Sequence, residues 1–177
     1  MTIRENRRAD AVERMADYLL EAGLSAASLR PLAAAAGTSD RMLLYYFADR
    51  DELLVATLTR IAERLTAMLD AALPPGTRLD FKALLIALRT ATGSPALVPY
   101  MRVWLELAAG SSQHRQPEQG VAHAIMAGFE AWVVDHLDDA EPAAAAALLL
   151  AVLEGALFLD AVGRRDLADA AVAHAAR

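Results

Sequence analysis

Val12, Met15, Ala16, Leu19 and Leu20 recur at helical spacing, and Asp10, Glu13, Asp17 and Glu21 fall on the opposite side. The pattern predicts a first helix over residues 6–22, ended by Gly23 at C′ with Leu24 as the hydrophobic contact that follows such an ending. Ser28 is placed to N-cap a short second helix ending at Gly37, with Pro31 tolerated in its first turn, where amides lack intrahelical partners. Ser39 caps a third, over residues 40–47. Asp49 followed by Glu52 has the capping-box spacing and starts a fourth helix. Its stripe of Leu54, Leu58, Ile61, Leu65, Met68 and Ala72 runs to the break Leu73, Pro74, Pro75, Gly76.

Past that break the character changes. Residues 79–91, 96–109 and 121–137 read as helices apolar on most sides, which are central in a bundle or lie at an interface. Glu141 and Pro142 open a further helix to residue 163, and an amphipathic piece closes the chain over 165–175. With no strand pattern, repeat or low-complexity linker, the expected fold class is all-α with about nine helices.

The chain has 177 residues, 56% of them hydrophobic, enough to bury a real core. It has no cysteine, which excludes disulfides, thiol nucleophiles and thiolate metal sites and fits a reducing cytoplasm. The stretch MTIRENRRADAVERM is charged, without an apolar core, and is expected to be a mature start and not a secretory signal. Residues 143–163 have roughly the length of a membrane span. Glu154 and Asp160 interrupt them and their first half is mostly alanine, so an interface helix is expected and no membrane. A net charge of −6 argues against indiscriminate polyanion binding, and residues 1–57 hold seven arginines against nine acids. Any nucleic-acid contact must therefore come from the placement of a few arginines. Catalysis finds little support: His114, His123, His136 and His174 lack metal-ligand spacing, and neither a Gly-rich phosphate loop nor a nucleophile motif is present. No metal, cofactor or enzymatic activity is expected.

A short helix, a turn containing glycine and a second short helix make the helix-turn-helix spacing, in which the second helix enters a DNA major groove. Gly37 suits the reversal because a left-handed residue is cheap only for glycine. Ala33 and Ala36 let the helices cross closely, and Leu32, Leu43 and Phe47 hold the pair against the first helix. Tyr45 and Tyr46 are neighbours on a helix and point about 100° apart, so at least one must leave the core.

The segment LRPLAAAAGTSDRMLLYYFADRDELL carries Leu32 and Ala33, Gly37 to Ser39, Leu43, Phe47, and Arg50 with Leu53 at one family's spacing. In these residues, within 9–58, the chain resembles the TetR/AcrR family of bacterial transcriptional regulators. The resemblance implies an N-terminal three-helix DNA-binding domain over 1–50, followed by a helical ligand-binding and dimerisation domain over 51–177. Leu44 departs from the pattern: it stands where the family usually has a phosphate-touching tyrosine, and that contact is expected to move to Tyr45 and Tyr46. By the same resemblance Ser28 and Arg30 meet phosphates, and Thr38 and Ser39 present amides and hydroxyls at a helix N-terminus. Asp40, Arg41 and Tyr45 face base edges, with Arg41 bidentate to a guanine. Arg50 grips backbone, and Arg4, Arg7 and Arg8 trail into an adjacent groove.

Helix-turn-helix proteins pair so that their recognition helices sit about 34 Å apart, which makes a homodimer on palindromic double-stranded DNA the expectation. Ala143, Ala147, Ala151 and Gly155 form an i, i+4 ridge of small residues flanked by Leu148, Leu149, Val152 and Leu159, agreeing with the family's use of its last two helices for dimerisation. Tyr100, Met101, Trp104, Met126, Phe129, Trp132 and Phe158 gather where the family binds an inducer, and rings and thioethers suit an adaptable apolar pocket. Arg89 or His123 could orient a polar group there, while Arg102 and Glu106 read as a surface ion pair four residues apart. The implied function is a cytoplasmic repressor released from its operator by a small apolar effector. The alternative is a helical homodimer that binds a small ligand or a protein partner without DNA.

Overall fold

A computed structural model describes residues 2–177. Among them are nine α-helices: α1 (Ile3–Ala22), α2 (Leu29–Ala35), α3 (Asp40–Tyr46), α4 (Arg50–Ala72), α5 (Phe81–Thr92), α6 (Val98–Ser112), α7 (Glu118–His136), α8 (Pro142–Ala161) and α9 (Arg165–Ala175). A single 3-10 turn, Leu24–Ala26, lies between α1 and α2. The chain is all-α, as its periodicity predicts.

The caps explain most boundaries. Thr2 makes a full capping box with Glu5, so α1 begins at Ile3 and not near residue 6. Ser39 accepts from the Met42 amide at 3.3 Å at the head of α3. Ser28 has the extended backbone of an N-cap but makes no side-chain cap bond. Before α4, Asp49 Oδ1 accepts from the Glu52 amide at 2.8 Å, while Glu52 reaches back to the Ala48 amide at 2.6 Å. Leu79 does not open α5 as expected, because its amide donates to the His136 carbonyl and its own carbonyl accepts from Asp138, each at 2.8 Å. Asp80 then caps the helix through the Ala83 amide at 2.7 Å.

The chain forms two compact units. The first runs to Leu65 and takes in Arg102–Ile125; the second is Thr66–Met101 with Met126–Arg177. In the first, Met15, Leu19, Leu32, Leu43, Phe47, Leu53, Leu54 and Leu58 are fully buried, so α1 and the start of α4 supply the core on which α2 and α3 rest. Glu13 on α1 binds both Arg60 and Arg64 on α4, and Arg64 also reaches Asp17 at 2.6 Å. In the second, α8 packs on α5 and α9 and buries Ala146, Leu149, Leu150, Leu153 and Ala156.

Candidate nucleic-acid interface

Two short helices and a tight reversal build the site. Gly37 has φ +69, the left-handed backbone expected of it, and Thr38 donates its amide to the Ala33 carbonyl at 2.9 Å to close the turn. Leu43, Tyr46 and Phe47 are buried, and they fix which face of α3 is turned outward. On that outer face Asp40, Arg41, Met42, Leu44 and Tyr45 are exposed. Tyr45 is 59% exposed and Tyr46 only 9%, so the two adjacent rings divide between solvent and core. Tyr46, expected among the DNA-facing residues, is therefore a packing residue whose ring meets Tyr45 edge-on at 5.7 Å.

Ser28, Arg30, Ser39 and Arg50 are also exposed, and Thr38 is half-buried. Arg50 is not a loose cation: it donates to the Ala27 carbonyl at 2.9 Å and so ties the start of α4 to the residue before Ser28. The N-terminal arginines do not form a trailing arm, because the capping box at Thr2 makes them helical. Arg4 donates to the Tyr45 carbonyl at 2.9 Å with its guanidinium 4.8 Å from the Tyr45 ring centre. Arg8 lies 4.6 Å from the Phe47 ring centre and pairs with Glu52 at 2.8 Å. The Ala48 amide first, then Arg8, hold the Glu52 carboxyl below the usual carboxylate range, so it stays ionised beside them.

The family description "Bacterial regulatory proteins, tetR family" matches residues 16–57, the stretch from the middle of α1 to the first turns of α4. Over this N-terminal stretch the chain is similar to the TetR family. It is 34% identical over 106 residues to the HTH-type transcriptional regulator BetI of Burkholderia thailandensis, a match covering 58% of this chain and about half, 53%, of that protein. A TetR-family transcriptional regulator from Cytophaga hutchinsonii shares the fold with a TM-score of 0.77 at 15% identity, over 99% of this chain and 94% of that one. The multidrug binding protein EbrR, solved with proflavin, superposes with a TM-score of 0.65 at 22% identity, over 96% and 99% of the two chains. Each is named for regulation or ligand binding, and none for catalysis.

The remaining expected residues fall in several places. Phe129 and Trp132 stack at 6.1 Å, and Trp132 stacks in turn on His136 at 3.9 Å. The Trp132 indole donates to Asp70 at 2.7 Å. Trp132 also borders a cleft of about 420 Å³ with Asp70, Pro75, Gly76, Arg78, Asp135 and His136. Tyr100, Met101, Trp104 and Met126 are half-buried. Phe158 is 60% exposed on α8. Arg89 is not free to orient a ligand, since it binds Asp160 and Asp169, and His123 is exposed.

On α8 the small residues Ala143, Ala147, Ala151 and Gly155 are all exposed, as is Leu148, while Val152 and Leu159 are half-buried. Leu149, expected to flank the ridge, is buried against its own unit instead. Of the described helices α8 is long and apolar enough to cross a membrane by length and composition. Asp160 near its end is ion-paired to α5 through Arg89 at 3.0 Å.

Sequence reasoning missed the destination of Arg102 and Glu106. The i, i+4 spacing suggests that they meet each other, yet both reach backbone groups around Gly23. No local pattern could have signalled this, because those partners lie some eighty residues away along the chain.

Proposed function

We propose that this chain is a dimeric transcriptional repressor that binds a palindromic duplex operator through α3 and leaves it when a small apolar molecule occupies its helical body. In this reading residues 1–50 are the DNA-binding domain, residues 51–177 bind ligand and dimerise, and the protein works in the cytoplasm with no membrane attachment. The observation that carries it is the division of α3 into a locked face of Leu43 and Tyr46 and a free face of Asp40, Arg41, Leu44 and Tyr45.

Arg41 reads a guanine in the major groove, and Tyr45, with its ring outward, takes the phosphate contact that Leu44 has given up. Leu44 is exposed and apolar, which suits it to a thymine methyl. Ser28, Arg30, Thr38, Ser39 and Arg50 surround α3 and position the backbone. A ligand can weaken DNA affinity only by favouring a conformer whose two recognition helices no longer match the groove spacing. That EbrR was solved with proflavin supports a ligand-binding body in this fold.

Selection from a random duplex pool should return a palindrome whose half-sites are about 34 Å apart. In anisotropy titrations at stated salt, Arg41→Ala should lose about 1–3 kcal/mol of discrimination at one base pair per half-site. If no sequence is enriched, the operator reading fails and the helical dimer without DNA binding, which the net charge of −6 favours, takes its place.

A further inference from the structure

The junction between α1 and α2 contains two helix ends that their own residues leave open. α1 has no basic residue in its last turn, so its C-terminal carbonyls meet no local cation. The 3-10 turn Leu24–Ala26 starts after Gly23, which has no side chain to cap it. α6 supplies both missing groups. Arg102 donates to the carbonyls of Leu20 at 2.5 Å and Glu21 at 2.9 Å. Glu106 Oε2 accepts from the Ser25 amide at 2.7 Å.

The two side chains are i, i+4 and share one face of α6. A cation sits at the closing end of α1, the sign that end favours, and the carboxylate accepts from an amide of the 3-10 turn that follows. Gly23 has the left-handed φ of +88, and an added Cβ would stand 2.7 Å from Glu106 Oε1, so the carboxylate would have to shift. From the junction the packing runs on, α1 against α2 and α2 against α3.

We propose that Arg102 and Glu106 are a positioning pair for DNA binding, through which α6 fixes the α1–α2 junction and thereby the pose of α2 and α3. The inference rests on the operator-reading role given to α3 above. Any rearrangement of α6 reaches α3 through these hydrogen bonds.

The test uses the full chain and the duplex that the wild type selects from a random pool. Glu106→Ala and Arg102→Ala should each lower affinity for that duplex about tenfold, equivalent to ~1.4 kcal/mol. Glu106→Gln, whose amide oxygen accepts from the same Ser25 amide, should stay within about twofold. Glu106→Asp keeps the charge but falls one methylene short, and should behave like the alanine variant. The double alanine variant should lose no more than the worse single one, because both act on one junction. Affinity for a random duplex and the slope of affinity against salt should not change, since no phosphate contact is removed. A merely structural role would lower thermal stability and both affinities together.

Wild-type affinity in Glu106→Ala would overturn the proposal, as would a Glu106→Gln variant as weak as the alanine one. If the wild type enriches no duplex, or Arg41→Ala keeps its sequence preference, the reading of α3 fails separately. The pair is then judged by hydrogen exchange at the Ser25 amide, expected about tenfold faster in Glu106→Ala and restored in Glu106→Gln. Equal exchange in all three proteins would overturn it.

Discussion

Tyr45 and Tyr46 carry the same side chain one position apart, and their surroundings give them opposite work. Tyr46 shares a face with Leu43, and its loss leaves a hole under α3. Tyr46→Ala should therefore cost about 3–5 kcal/mol, read from urea unfolding. Tyr45→Ala removes an exposed ring whose intramolecular contacts include a cation–π pair with Arg4 and an edge-on meeting with Tyr46. It should change stability by about 1 kcal/mol or less while weakening operator binding. The sequence required only that at least one of the two rings leave the core and did not say which; Tyr46 is the one buried with Leu43 and Phe47. The expected phosphate contact there came from the resemblance alone, and packing overrules it. Gly37 was legible, because a reversal between two short helices needs a left-handed residue. What could not be read was that Arg4 and Arg8 settle over the rings of Tyr45 and Phe47, since nothing local pairs a first turn with a helix some forty residues on.

Helix α5 is tied to α8 and α9 by one guanidinium, and this sets the acid sensitivity of the second unit. Arg89 donates to Asp160 at 3.0 Å and to Asp169 at 2.8 Å. The Arg89 hydrogen bond, partly opposed by burial, holds the Asp160 carboxyl below the usual carboxylate range. A carboxyl with a lowered folded-state pKa contributes stability above its unfolded value, about 3.9, and loses it as pH falls through the lower folded value. Wild-type stability should accordingly drop below about pH 4, and Asp160→Asn should flatten part of that limb when urea midpoints are followed against pH. The flattening is partial because Glu13 is lowered as well, chiefly by its hydrogen bond from Arg64. At neutral pH Arg89→Ala should cost about 1.5–3 kcal/mol, the worth of hydrogen bonds to charged groups. Helix positions were largely legible, and α9 spans the same residues that its amphipathic pattern predicts. Ends governed by distant partners were not. The 3-10 turn after Gly23 is completed by Glu106, and the start of α5 is delayed by the pairing of Leu79 with Leu137.

For the molecule as a whole, the expected division at residue 50 follows the family resemblance, whereas the compact units follow contacts, and Arg102–Ile125 clusters with the N-terminal helices. That membership rests on partners some eighty residues apart, such as the Ser25 amide and Glu106, which no local pattern announces. The outer face of α8 poses a different problem. Leu148, Phe158 and Val162 are each more than half exposed beside the small-residue ridge, a contiguous apolar surface that a lone soluble subunit has reason to cover. Gly155 sharpens the case. A helix-interior glycine costs up to about 1 kcal/mol relative to alanine. Yet a Cβ there would meet nothing within 4 Å, so its own subunit does not require it. A partner helix crossing at that point would. Two substitutions separate the possibilities. Ala151→Arg, at an exposed position with good helix propensity, should leave the subunit folded and shift its mass in light scattering from twice the chain to one copy. Operator affinity should then fall by about a hundredfold or more, because linkage of two half-sites is lost. Gly155→Ala gives the opposite sign for the two cases: an uncovered α8 gains helix stability, whereas a closely crossed pair loses dimer affinity through the added methyl. A monomeric wild type in sedimentation, or a stabilised and unchanged dimer in Gly155→Ala, would remove α8 from the interface and leave its apolar face to another partner.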